Sequence, residues 1–240
     1  PYMKRTSHGM ILAKGGEKMS KSKGNVVNPD EMVDQFGADA LRTYIMFMGP
    51  FDQAVEWDTD GLVGVRRFLD RVWNLQSKVG EGTGGVTPKL QTLLHQTIKK
   101  VTEDIDAMRF NTAVAKLMEL TNEMMKADHV PCSMYHVALK LLSPFAPHIC
   151  EELWSLTGGS GSIAFEPWPT YDPKYLIADT VTIAIQVNGK LRDTIDVAPD
   201  TGEEEVKRLA LASANVQKHL AGKEPKKVIY VKGKLVSIVV

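Results

Sequence analysis

Cysteine is nearly absent, with only Cys132 and Cys150 in 240 residues. Two thiols in a chain of this length exclude a disulfide scaffold. They form no metal-ligand spacing either, so reduced cytoplasmic thiols packed as small hydrophobes are expected, with no metal site. No apolar run approaches the roughly 18 residues that a membrane span requires. No sign of charge dominates: 29 Lys/Arg balance 29 Asp/Glu. That balance excludes a blanket nucleic-acid binder but leaves room for local basic faces. An initiator methionine is lacking, and Pro1 opens what reads as mid-domain sequence. What remains is 43% apolar and 24% charged, a globular composition long enough for one large or two smaller domains.

Against that even background one stretch is concentrated, Lys18-Met19-Ser20-Lys21-Ser22. Gly15, Gly16 and Gly24 bracket it. The loop is cationic, supplied with hydroxyl donors, and free to change its backbone angles. It suits a polyphosphate that is held during one step and released afterwards. A P-loop is excluded, because Ser20 stands where its second glycine belongs and no helix begins at the lysine. The plainer alternative is a solvated Lys/Ser loop. A helix start follows: Asn28 can cap, Pro29 fits the first helical position, and Glu31 completes a capping-box spacing.

From Pro29 the pattern is helical. Residues 29–36 end at Gly37, and 39–48 place Leu41, Ile45 and Met48 inward. Asp58 or Thr59 then opens a long helix with Leu62, Val65, Leu69, Val72, Trp73 and Val79 on one face. Its other face carries Arg66, Arg67, Arg71 and Lys78, which reads either as a wet helix side or as a phosphate contact. Gly80–Gly85 is a flexible connection. Thr87-Pro88 starts a helix with Leu90, Leu94, Ile98, Val101 and Ile105 inward. The next places Val114, Leu117, Met118, Thr121 and Met125 inward. A last helix follows Pro131, breaks near Pro144 and Pro147, and ends before Gly158. His8 and His148 stand alone and read as structural residues.

Residues 161–179 are rich in proline and aromatics and read as an extended linker. Beyond them the period falls from 3.6 to 2. Val181, Ile183, Ile185 and Val187 alternate, Asn188-Gly189 is a hairpin signal, and Leu191, Ile195 and Val197 return. Thr201 and Glu204 have capping-box spacing before a helix with Val206 and Leu209 inward, and a short helical turn around Val216 and Leu220 ends at Gly222. Residues 226–232 and 235–240 close a β-β-α-β-β module. The expected fold is thus mainly α followed by α+β. The boundaries are 1–57, a helical bundle at 58–160, the linker at 161–179, and the small domain at 180–240. That domain has net charge +3, with Lys190 and Arg192 near one turn and Lys226, Lys227, Lys232 and Lys234 near the other.

Lys18 to Ser22, with Lys23-Gly24-Asn25 after it, resembles the KMSKS signature loop of class I aminoacyl-tRNA synthetases. Residues 37–42 and 46–50 make the chain more similar to the bacterial leucyl-tRNA synthetases than to their valine, isoleucine or methionine relatives. Ser143–His148 and Glu151–Trp154 resemble the last helices of the anticodon-binding bundle. The final module resembles the C-terminal domain of the bacterial leucine enzymes, and the resemblance covers the whole chain as a C-terminal portion.

It implies a ligase that activates leucine with ATP and passes it to tRNA(Leu). Lys18 and Lys21 would meet the departing pyrophosphate, with Met19, Ser20 and Ser22 completing that part of the ATP site. Mg2+ would accompany ATP in the full-length enzyme. ATP and leucine would otherwise be held by a preceding half, whose paired-histidine signature none of the six histidines matches. This portion alone is therefore expected to hold no cofactor and to be inactive. Arg66, Arg67, Arg71, Lys190, Arg192, Lys226, Lys227, Lys232 and Lys234 are the expected tRNA contacts, in a cytoplasmic monomer. A non-catalytic tRNA-binding module, or the same region of a valyl or isoleucyl enzyme, remains the alternative.

Overall fold

The computed structural model describes Met3 and residues 5–82, 86–176, 181–198, 201–220 and 225–239. Two compact units divide the chain at Leu176/Ile177. Residues 83–85 of the flexible connection expected over Gly80–Gly85, the turn end at Gly222 and the final Val240 lie outside the described residues.

The first unit is helical, and three of its helices begin where a short side chain, Asn28, Asp58 or Thr87, takes up a free N–H of the first turn. Before them lies a two-residue strand β1 (Ile11–Leu12). It pairs in parallel with β2 (Val55–Glu56). Gly9 is required there: a Cβ on it would stand 1.7 Å from Gln53 O. Helix α1 (Pro29–Phe36) is capped by Asn28, whose side chain accepts from Asp30 N at 3.1 Å. Glu31 reaches the Asn28 amide at 3.4 Å rather than its backbone, so the reciprocal capping box does not form.

Helix α2 (Ala38–Phe47) buries Ala40, Leu41, Thr43 and Tyr44. Ile45, expected inward, is exposed. The reason is its neighbour. Tyr44 packs over Gly61, and its hydroxyl accepts from Asp58 N at 3.0 Å, which turns that arc of α2 toward α3 (Thr59–Leu75). Helix α3 buries Leu62, Val65, Phe68, Leu69, Val72 and Leu75. Trp73 is one position off that stripe and stays 39% exposed, against expectation. The helix stops at Leu75, so Val79 sits instead in a short strand β3 (Val79–Gly80) paired with β4 (Val130–Pro131). Lys78 is not on a wet face. Its ammonium donates to Met125 O at 2.7 Å and Ala127 O at 2.9 Å, closing the end of the helix that Lys126 terminates.

The antiparallel pair α4 (Pro88–Asp106) and α5 (Phe110–Lys126) meets α6 (Cys132–Leu142) and α7 (Pro147–Leu156) in one core. In α5 Val114, Leu117 and Thr121 are buried as expected, joined by Leu120 and Met124, while Met118 and Met125 pack at the edge. Two carboxylates fasten this body. Buried Asp104 accepts from Lys100 (2.5 Å), Arg109 (2.8 Å) and Thr112 (2.6 Å) at the α4–α5 corner. Asp39 accepts from Ile149 N at 2.7 Å and His148 Nδ1 at 2.7 Å, so a residue of α2 caps α7. His148 is thereby given a structural partner. The Pro-rich segment lies along α4: Trp168 donates to Thr102 at 2.8 Å, and Tyr175 stacks on His95 with centroids 4.6 Å apart.

The second unit is a four-stranded sheet in the order β6-β5-β8-β7. β5 (Val181–Val187) and β6 (Lys190–Val197) form the hairpin, with Asn188 at φ 50° and Gly189 at φ 78°. Both positive angles belong to a turn that matches strand twist. β7 (Lys227–Val231) and β8 (Leu235–Val239) pair antiparallel, and β5 and β8 run parallel. Between the hairpins lie two helices, α8 (Glu203–Ala212) and α9 (Ala214–Leu220), the second where a short helical turn was expected. Ile183, Ile185, Val187, Val206, Ala210, Val216, Val236 and Ile238 form the core. Leu209, expected inward, is only partly buried. The Thr201 cap is also corrected. Gly202 is the capping residue of α8, with no side-chain bond; the three glutamates of the first turn complement the helix dipole instead. Among the described residues no helix is long and apolar enough to cross a membrane.

Candidate functional site

The lysine loop hangs from the end of β1. Ala13 N donates to Glu17 O at 2.8 Å, and Leu12 bridges Lys18 in an antiparallel pair. Gly15 and Gly16 make the return at φ 86° and 76°, angles that a side chain would strain. The Glu56 carboxylate steadies that return by accepting from Gly15 N at 3.2 Å. Beyond Met19, Ser20 caps a one-turn 3-10 helix, Lys21–Lys23, its hydroxyl accepting from Lys23 N at 3.3 Å, and Gly24 ends it at φ 65°. Ser22 Oγ lies 3.1 Å from Ser20 Oγ.

The loop sorts its three lysines. Lys23 is paired with Glu17 at 3.0 Å. Lys18 and Lys21 are exposed, and among the described residues neither ammonium has an anionic partner. Met19 and Ser20 are half-buried and form the loop's footing, while Ser22 is exposed. The arrangement therefore offers two unneutralised cations from one rim, with flanking hydroxyls, to an anion that approaches from solvent.

The three arginines of α3 do not behave alike. Arg66 donates to Asp70 at 2.9 Å and to Phe36 O at 2.9 Å, so its charge is paired and two of its N–H donors are already engaged. Arg71 is half-buried, with its Nε shielded and unbonded. Arg67 is exposed and forms no ion pair among the described residues.

In the second unit the strand register rearranges the expected grouping. Lys190 pairs with Val187, Val187 with Ile238, and Lys227 with Val239. Lys190, Lys226 and Lys227 therefore lie at one end of the sheet, although two of them were expected beside Lys232 and Lys234. The latter pair flanks Gly233 at the opposite end, where Ala184 N donates to Lys234 O at 3.0 Å. Strand β7 carries Lys226 and Lys227 away from Lys232, and the parallel β5–β8 pairing brings the Lys190 turn level with them. All five lysines are exposed. Arg192, at the β6 irregularity, keeps its Nε buried and unbonded.

Neither thiol is poised for chemistry. Burial pushes Cys150 well up, with Asp39 and Glu151 adding to it, and Cys132 is raised by burial and then by Glu81.

Comparison with known proteins matches residues 1–58 to the model of "tRNA synthetases class I (I, L, M and V)" and residues 89–207 to the "Anticodon-binding domain of tRNA ligase". The chain belongs to the class I tRNA synthetases. A solved relative is the Agrobacterium radiobacter K84 agnB2 LeuRS, in a ternary complex with tRNA and LeuAMS. It is 31% identical, with a TM-score of 0.66, over 97% of this chain and 33% of that one. The chain thus spans about a third of the length of that synthetase.

Within this synthetase chain, sequence reasoning passed over Glu17, Glu56 and the side-chain role of Asn25. The question that finds such residues concerns the backbone. A loop whose N–H and C=O groups are not in a sheet must have side chains to take them.

Proposed function

We propose that this chain is the pyrophosphate-handling and tRNA-binding portion of a leucine–tRNA ligase that uses MgATP and leucine as substrates. The single observation behind this reading is the sorting of the loop lysines: Glu17 neutralises Lys23, and Lys18 and Lys21 are left unpaired. The leucine carboxylate oxygen attacks the α-phosphorus, the bond to pyrophosphate breaks, and leucyl-adenylate forms. Negative charge grows on the departing diphosphate during that step. Lys18 and Lys21 meet it, and the Ser20 and Ser22 hydroxyls donate to it or hold the loop shut. Interactions that strengthen toward the transition state are those that accelerate, and loss of one preorganised donor costs on the order of 3 kcal/mol. The leucyl group then passes to the 3′ end of tRNA(Leu). Arg67 and the exposed lysines of the second unit are the cations freest to meet RNA phosphates. Leucine rather than valine or isoleucine is supported by the LeuRS likeness.

By this reading the rest of the ATP and leucine site lies on other parts of the ligase, and residues 1–240 by themselves form no adenylate. The test is Lys21→Ala in the whole synthetase, read by leucine-dependent ATP–pyrophosphate exchange. Adenylate formation is expected to slow by about 100-fold or more with leucine binding little changed. A near wild-type exchange rate overturns the reading. The match to an anticodon-binding domain over 89–207 favours one other outcome, a tRNA-binding module without catalysis.

A further inference from the structure

Lys18 and Lys21 are useful to a phosphate only if the loop presents them together, yet the loop has almost no sheet to hold it. From Glu17 to Ser20 its backbone is bonded on one side by β1, through Ala13 N to Glu17 O and the Leu12–Lys18 bridge. The other side is taken by one side chain. Asn25 Oδ1 accepts from Ser20 N at 2.8 Å, and Asn25 Nδ2 donates to Lys18 O at 3.3 Å. The Lys18 carbonyl and the Ser20 amide point the same way from an extended chain, as a neighbouring strand's peptide group would meet them. A carboxamide, with one acceptor and one donor group, can answer both at once.

We infer that Asn25 is a positioning residue for the adenylate-forming step. Its amide acts as a one-residue strand partner that fixes Lys18 directly and Lys21 through Ser20. The second link is local. Ser20 is the cap of the 3-10 turn that begins at Lys21, so fixing the Ser20 amide fixes the direction in which that turn starts. Asn25 is half-buried, and both ends of its carboxamide are engaged by the loop backbone. The inference rests on the pyrophosphate reading of the loop.

The experiment is a double-mutant cycle in the whole synthetase with Asn25→Ala, Lys21→Ala and the pair, read by pyrophosphate exchange. Asn25→Ala is expected to lower kcat by about 10-fold or more, since small misplacements of a charge are costly in catalysis. The KM for leucine and the thermal midpoint should stay at the wild-type values. In the double variant the two losses should fall short of additive, because the part of Asn25's effect that runs through Lys21 is already gone while the part that runs through Lys18 remains. Fully additive losses, or a wild-type kcat in Asn25→Ala beside a slow Lys21→Ala, overturn the role of Asn25 alone. A lowered thermal midpoint with the kcat loss fully explained by unfolded protein overturns it too. A wild-type rate in Lys21→Ala overturns the pyrophosphate reading, and this inference with it.

Discussion

If the second unit holds RNA by its phosphates, the two ends of its sheet can be tested separately. Lys190, Lys226 and Lys227 share one end, and Lys232 and Lys234 the other. Strands are spaced about 4.8 Å apart, so Lys190 on β6 and Lys227 on β7 stand roughly 14 Å apart across the sheet. The ends themselves are separated by four to five residues of strand, about 13–17 Å. That is more than the roughly 8 Å Debye length at physiological salt, so the ends respond nearly independently. Each phosphate contact adds about 0.7–0.9 to the slope of log K against log salt. Changing Lys190, Lys226 and Lys227 together to Gln should therefore flatten that slope by about 2–3 if all three touch phosphate. Between 50 and 200 mM salt the variant would then lose about 20- to 40-fold less affinity than the wild type loses. Changing Lys232 and Lys234 to Gln should flatten it by less than about 2. Fluorescence anisotropy of labelled tRNA(Leu), titrated at four or five salt concentrations, reads both. An unchanged slope in both variants refutes the reasoning and leaves these lysines as a solvated surface.

Two predictions concern the scaffold. Burial alone would raise the Asp104 carboxyl, but hydrogen bonds from Lys100, Thr112 and Arg109 outweigh it and hold the group below its ordinary range. Its contribution is therefore present above about pH 4 and is lost as pH falls through the lowered folded value. Asp104→Asn should cost about 2–3 kcal/mol at pH 7, discounted because Lys100 and Arg109 are half-exposed and can regain water. Urea unfolding across pH should show the gap from wild type closing below about pH 4; a constant gap contradicts the assignment. Gly159→Ala would place a Cβ 2.2–2.4 Å from the Trp154 ring. That overpacking should cost about 1–3 kcal/mol, and an unchanged thermal midpoint would show that the ring moves freely.

How much of this was legible in the sequence depended on the distance over which each feature is decided. The starts of α1, α3 and α4 were readable because Asn28, Asp58 and Thr87 cap within three residues of themselves. The Asn188-Gly189 turn was readable for the same reason. Positions that depend on a partner helix were not. Ile45 and Trp73 looked inward on their own helices, but the packing of Tyr44 over Gly61 sets the arc that α2 and α3 share. The lysines of the second unit were mis-grouped because a parallel pairing between β5 and β8 is a contact across some fifty residues of sequence.

The same argument applies to the site. A sequence shows how many cations a segment carries; only the fold shows which of them are already answered. Lys78 and Arg66 looked as available as Arg67, yet carbonyls at the ends of α5 and α1 occupy them. In the loop, Lys23 carries the same charge two residues from Lys21, but Glu17 takes it. A cation whose charge and donors are spent inside the fold can bind an anion only by giving up that partner, whereas Lys18 and Lys21 give up only water. That difference, and not the lysine count, makes the loop a candidate for gripping diphosphate. It also makes Asn25, which carries no charge, the residue on which the geometry of the grip turns.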